Sequence, residues 1–343
     1  MLFYLKKMWR NLAGGILAAT LMISPLYRRA KHDRAKANAI MPLFFHRISK
    51  RMFLKCILWL KREGYHFIST EQVLHYLKGT DPIPSQAVWI TFDDGWEDNI
   101  ENVVPIIVKY NIPVTFFIST DPIENGGVFW WSYVSRFGKL VGSNYTIQNI
   151  RRISESERQK IVEQLEARFS SQMPREAMTI QQVRSIARLP QVEIGCHTAH
   201  HVMMSQCSDQ QLEEEIKTSI AKLEGWINKP VKYFSYPDGD YNHRDQEFVQ
   251  RYGFEIAATT ENRMVTRNDN PLALPRFCVR GEGFFCEAKC QMLGIWMPVV
   301  MKIEQLMKME FESEIFFGQL KDIIVELFEF AFAAEIIWKS FIA

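Results

Sequence analysis

Cysteine is scarce in this chain of 343 residues, and the six present, Cys56, Cys196, Cys207, Cys278, Cys286 and Cys290, are too few for a disulfide scaffold. Cys286 and Cys290 have no second pair or nearby histidine to make a metal site, so buried free thiols are expected and an oxidising compartment is not indicated. Net charge is equally scarce. The 41 Lys+Arg and 39 Asp+Glu leave +2, so no global field recruits nucleic acid and no such partner is expected. There is no low-complexity tract and no internal repeat. With 47% hydrophobic and 23% charged residues the chain is globular, long enough for one large domain or two ordinary ones.

Hydrophobic runs are short. The longest uncharged one, residues 11–27 (NLAGGILAATLMISPLY), is mostly apolar and at the lower limit for a membrane span, with Lys6, Lys7 and Arg10 before it and Arg28 and Arg29 behind. The basic cluster behind it and the missing small-residue cleavage site argue against a secretory signal. Three readings stay open: a spanning anchor, a helix in the membrane interface, and a helix lying on the domain. Residues 1–38 are therefore set apart as an N-terminal segment with membrane association as one of its uses. At the other end, 286–343 reads as a helical extension, with Phe328, Phe332, Ile336 and Phe341 near one face.

Between these ends, in 39–285, short apolar strands alternate with amphipathic helices. Strands are expected at 41–46, 87–92, 113–119, 192–197, 232–236, 255–260 and 273–279, and helices at 48–63, 71–78, 98–110, 179–188, 209–228 and 243–252. Such alternation predicts a parallel α/β architecture, and seven strands suit a barrel or a deep open sheet. Residues 121–178 interrupt the rhythm as an inserted excursion containing Trp130 and Trp131.

The chemically interesting residues fall at strand ends: His46, Asp93 and Asp94, Ser119 and Thr120, His197, Pro237, Thr259 and Thr260, with Arg276 inside the last strand. Ligands of parallel α/β folds bind beyond the carboxyl ends of strands, so these positions converge on one mouth. In His197-Thr198-Ala199-His200-His201, histidines four apart in a helical turn would face one side and share a metal, with His200 turned away. One carboxylate of Asp93-Asp94 would complete the ligand set, and the other would remain as a proton acceptor. Alone, Asp-Asp-Gly after a strand also fits a turn that caps a helix.

Thr91-Phe92-Asp93-Asp94-Gly95, His197-Thr198-Ala199-His200-His201 and Phe234-Ser235-Tyr236-Pro237-Asp238-Gly239-Asp240-Tyr241 together resemble the three motifs of the polysaccharide deacetylases, the NodB-like carbohydrate esterase family 4. Phe44-Phe45-His46-Arg47-Ile48 is similar to a segment of the circularly permuted branch that includes poly-N-acetylglucosamine deacetylases. The resemblance covers roughly 40–280. It implies a distorted (β/α) barrel of about seven parallel strands that removes N-acetyl groups from amino sugars of a bacterial polysaccharide or its lipid-linked precursor. It also implies one divalent metal ion, most often zinc, with cobalt, nickel or manganese as alternatives.

Carried across, the metal ligands would be Asp94, His197 and His201, the general base Asp93, and the oxyanion donor the backbone N–H of Asp238. No histidine follows His243, so the late histidine that serves many relatives as acid is missing, and His46 takes that role by resemblance to the permuted branch. Phe234 and Ser235 stand where many relatives place a base-orienting arginine, and Arg276 would replace it. Trp130, Trp131 and Tyr241 are candidates for stacking on sugar, although a tryptophan pair also suits a core. Other readings keep the fold: an O-acetyl esterase or a deformylase on a lipid-linked sugar, or a noncatalytic glycan-binding protein. The expected location is the bacterial inner membrane or periplasm, with the cytoplasm left open.

Overall fold

The computed structural model describes residues 2–310. Short runs rich in β-branched and aromatic residues give β1 (Met41–Phe45), β2 (His66–Ile68), β3 (Ala87–Phe92), β4 (Val114–Ile118), β5 (Val192–Cys196), β6 (Tyr233–Ser235), β7 (Ile256–Ala258) and β8 (Phe277–Cys278). These lie parallel in the order β7-β6-β5-β4-β3-β1-β8, with β2 beside β3. Every residue of β1, β3 and β4 is buried, which is why these strands read as continuous apolar runs rather than alternating ones.

All seven expected strands are present, but the last is divided between two neighbours. Leu274 bridges to Ala258 of β7, with its N–H on Ala257 O at 2.8 Å, whereas Phe277 and Cys278 pair with Leu43 and Phe44 of β1. Pro275 between them has no N–H to give a ladder, so only two residues remain as strand while the segment closes the sheet into a distorted barrel. β2 was not expected. Its three residues follow Gly64, held at φ 84 past the helix Lys50–Arg62, and are too few to show a period.

The helices follow their capping signals. Capping boxes open Thr70–Lys78, Glu155–Phe169, Ile180–Ile186, Asp209–Ile227 and His243–Arg251. The helix expected over 98–110 is broken into Asp98–Asn102 and Val104–Tyr110, because Pro105 fits only the first turn of a new helix.

The excursion builds a core of its own, in which Trp130, Tyr133, Val134, Phe137, Ile150, Leu165 and Phe169 are buried. Phe137 and Phe169 stack at 4.2 Å, and each such side chain contributes about 2 kcal/mol by leaving water. Its end returns to the loop after β3, where Trp96 pairs with Ala177.

The chain divides into two compact units, Met1–Ile295 and Trp296–Ala343. The first includes 1–38 and 286–295. The helix Leu2–Ile23 lies along Phe285–Met292, where Cys286 and Cys290 Sγ reach Gly15 O and Ala18 O at 3.8 Å. The apolar run of 11–27 does not continue as one helix. Ser24 ends it and caps Pro25–Lys36, accepting Tyr27 N–H at 3.4 Å. No helix among the described residues is long and apolar enough to cross a membrane. In the second unit the helix Trp296–Glu310 is described, and Phe328, Phe332, Ile336 and Phe341 lie outside the described residues. All six cysteines are free, with Cys56, Cys196, Cys207 and Cys290 buried.

Candidate functional site

Asp93 leaves β3 with its N–H on Phe45 O at 2.9 Å, and Asp94 follows at φ 75, a left-handed turn that sends the two side chains to different partners. Both are buried, at 2% and 3% exposure. Asp93 is clamped by Arg276, whose Nη1 donates to Oδ1 at 2.8 Å and Nη2 to Oδ2 at 2.7 Å. Arg276 is fully buried, and its other donors reach Thr91 Oγ1, Ser235 Oγ and Thr259 O, so all five N–H groups are used. Phe44 lies 4.5 Å from the guanidinium. Burial pushes the Asp93 carboxyl up, but Arg276 and His197 outweigh it and hold the group below its usual range.

Asp94 Oδ2 accepts Trp96 Nε1–H at 2.7 Å, while buried Oδ1 has no hydrogen-bond partner among the described residues. His197 Nε2 and His201 Nε2 approach that oxygen at 3.5 and 3.4 Å, too far for good hydrogen bonds. Ligand atoms sharing one tetrahedral zinc at 2.0–2.2 Å stand about 3.3 Å from one another, so the spacing fits a shared cation, of which the orphaned oxygen would be the third corner. His197 Nδ1–H donates to Ser235 O at 2.7 Å, which leaves the Nε2 lone pair facing Asp94. Burial lowers His201, which favours the neutral ring that a metal ligand needs. Burial would lower His197 too, but the two aspartates raise it, so the surroundings favour positive charge at that point. Among the described residues, Asp94, His197 and His201 form the group that could hold a metal ion.

The two histidines do not meet through a helical turn. Residues 197–201 form a loop with Thr198 at φ 61 and His201 at φ 52. Buried Glu215, from Asp209–Ile227, supplies what a helix would have supplied: its Oε2 accepts Ala199 N–H at 3.0 Å and His200 N–H at 2.9 Å, and its Oε1 holds His200 Nδ1 at 2.6 Å. His200 thus turns away, as expected, toward Glu215 and Asp121.

A cleft of about 350 Å³ opens over this group, with His46, Asp94, Trp96, Trp131, His201, Asp238 and Arg280 in its wall. Asp93, His197 and Arg276 lie behind the wall. His46 is exposed at the end of β1, and its carbonyl is held by Asn99 Nδ2 at 2.9 Å. Asp238 adopts φ 56, and its carboxylate forms a two-point pair with Arg151 of the excursion at 2.9 Å.

Of the aromatic candidates, Trp131 faces the cleft, edge-on to His201 at 4.6 Å. Trp130 does not; it is 7% exposed in the excursion core and donates to His201 O at 3.2 Å. Adjacent helical residues point about 100° apart, so one member of the pair was bound to turn inward. Tyr241 also stays outside the cleft wall, stacked on Tyr236 at 4.5 Å. Trp96 was missed, since an aromatic after Asp-Asp-Gly has no distinctive spacing. A larger cavity of about 410 Å³ is lined by Glu155, His200 and Glu215 and by none of Asp94, His197 and His201.

A parallel barrel with a buried Asp-His-His cluster and a clamped second aspartate at the strand ends defines a class of hydrolase scaffold. The chain belongs to the polysaccharide deacetylase family, whose model matches residues 80–257. His46 and Arg276 fall outside that matched stretch. Bacillus subtilis (strain 168) YxkH, whose name places it among polysaccharide deacetylases, is 22% identical over 230 residues, 67% of this chain and 64% of YxkH. The chain thus spans a little under two thirds of that relative's length. The Staphylococcus aureus (strain MSSA476) poly-beta-1,6-N-acetyl-D-glucosamine N-deacetylase is 24% identical over 243 residues, 69% of each chain. Among solved structures, IcaB from Ammonifex degensii aligns with a TM-score of 0.54 at 18% identity, covering 76% of this chain and 98% of that one. The Streptococcus pyogenes deacetylase PplD gives 0.52 at 21% identity, covering 79% and 92%. Both likenesses support the barrel.

Proposed function

We propose that this chain is a metal-dependent hydrolase that removes N-acetyl groups from amino sugars of a bacterial surface glycan or its lipid-linked precursor. The observation that carries this reading is the division of labour between neighbours: Asp94 joins His197 and His201 around one point, while Asp93 is held apart by Arg276. A divalent ion bound by Asp94, His197 and His201, most often zinc, with cobalt, nickel or manganese also suited to the donor set, would supply Lewis acidity at the amide carbonyl.

In this reading Asp93 takes the proton of the attacking water, and Arg276 keeps its carboxylate ionised and oriented for that transfer. The Asp238 N–H holds the developing oxyanion, with the left-handed turn fixed by the Arg151 pair. His46, exposed in the cleft wall, protonates the departing amine. Trp131 gives the sugar an aromatic face. The functional domain is 39–285, together with the helices packed on it.

The direct test is acetate release by the metal-loaded chain from chitooligosaccharides and poly-N-acetylglucosamine fragments. His46→Ala should slow amide hydrolysis by about a hundredfold or more and an acetyl ester much less, because an alkoxide leaves more readily than an unprotonated amine. Equal loss on both substrates would remove His46 from the acid role. Absence of acetate from every amide substrate would overturn the function.

Trp96→Phe tests the support of Asp94. It keeps an aromatic ring, though a smaller one, against Phe129, which packs on Trp96 at 4.4 Å, but removes the N–H that holds Oδ2 and so directs Oδ1 toward the histidines. Metal affinity measured by chelator competition should fall about tenfold to a hundredfold with little change in melting temperature. Unchanged affinity would mean that Trp96 only fills space.

A further inference from the structure

The helix Leu2–Ile23 has a face that catalysis does not use. Ala18 and Leu21 are buried on the side toward Phe285–Met292. The other side exposes Leu12 (45%), Ile16 (48%) and Ile23 (76%), and Leu26 (44%) follows beyond the bend at Ser24. Ala13, Ala19 and Thr20 are also exposed, so the residues fall at helical spacing into one stripe. Thr20, its only polar member, turns its hydroxyl to Ile16 O at 3.0 Å. Phe284, half exposed, lies against Gly15 of the same helix. Scattered exposed leucines are ordinary; an uncharged stripe several turns long is not.

Charge completes the pattern. No charged residue occurs from Asn11 to Tyr27, yet Arg10 precedes this span and Arg28 and Arg29 follow it, with Arg29 at 84% side-chain exposure. On the helix Pro25–Lys36, whose one acidic residue is Asp33, Arg28, Arg29 and Lys36 are exposed, whereas Lys31 pairs with Glu63 at 2.6 Å and Arg34 lies over Phe277. An apolar face bordered by cations matches the acyl boundary and phosphate layer of an anionic bilayer. We propose that this face docks the protein in the plane of an anionic lipid surface.

The docking has a consequence for substrate, which rests on the deacetylase reading. Arg10, just ahead of the stripe in sequence, turns to the other side of the helix, where it pairs with Glu287 and Glu282 and lines the cleft, so one helix carries both the docking face and part of the cleft wall. An enzyme so placed acts on amino sugars presented at the bilayer, including glycans carried on a lipid phosphate.

The test is co-sedimentation of the full chain with vesicles of phosphatidylglycerol and phosphatidylcholine in equal parts, and with phosphatidylcholine alone. Binding should favour the anionic vesicles and weaken with salt. Ile16→Glu/Ile23→Glu should weaken binding by about tenfold or more. Its melting temperature and acetate release from a soluble chitooligosaccharide should stay at wild-type values. Equal binding by the double variant, or no wild-type binding at low salt, would overturn the docking. So would a lipid-free dimer that the double variant turns into a monomer, because the face would then belong to a second copy. Vesicle binding as expected with no acetate released would leave the docking standing and remove the deacetylase reading.

Discussion

Asp93→Asn is expected to lower turnover on an N-acetylated amino sugar by about a thousandfold while the metal stays bound, since a positioned base contributes on the order of 10²–10⁴. In this chain the substitution has a second effect. It leaves the Arg276 guanidinium, fully buried, facing a neutral amide. Breaking a buried ion pair from one side costs about 3 kcal/mol or more, so the variant should also melt earlier. Turnover and melting temperature therefore have to be read together. Asp93→Asn/Arg276→Met separates the two losses: it removes the stranded charge, restores much of the stability, and recovers none of the turnover. If the double variant regained activity along with stability, Asp93 would be a structural partner of Arg276 and not the base.

The second large effect concerns Asp94. Asp94→Ala removes the shared corner of the ligand group and leaves His197 and His201 without the carboxylate between them. Metal affinity should fall by well over the tenfold to hundredfold that outer partners control, and turnover should drop to background. A calorimetric signature accompanies it. At a thousandfold excess over its dissociation constant, a bound ion stabilises the wild-type fold by about 4 kcal/mol, and the variant should show no such shift at the same concentration. A full metal-dependent shift in Asp94→Ala would place the ion elsewhere.

Much of this arrangement was legible before the fold. Strand ends converge in parallel α/β proteins, so Asp93, Asp94 and His197 could be placed at one mouth from apolar runs alone, and periodicity placed a helix over 209–228, where the structure has Asp209–Ile227. Three things were not legible, each because it depends on contacts distant in sequence. The loop at 197–201 looked helical by its four-residue histidine spacing, yet Glu215, in the next helix, holds it in a left-handed turn. Trp130 and Trp131 are equivalent in sequence, and only the excursion's separate core decides which is buried. Trp96 gains its role from the hydrogen bond to Asp94, whereas its position after Gly95 carries no code. Arg276 was nominated by resemblance, and its five engaged donors, two on Asp93 and one on Ser235 Oγ, could be found only in the fold.

The central claim is that two adjacent aspartates have separate duties, and metal stoichiometry after dialysis tests it most directly. Asp93→Asn should retain one divalent ion per chain, as the wild type does, and Asp94→Asn should retain almost none. Equal loss in both variants, or equal retention in both, would contradict the division between them.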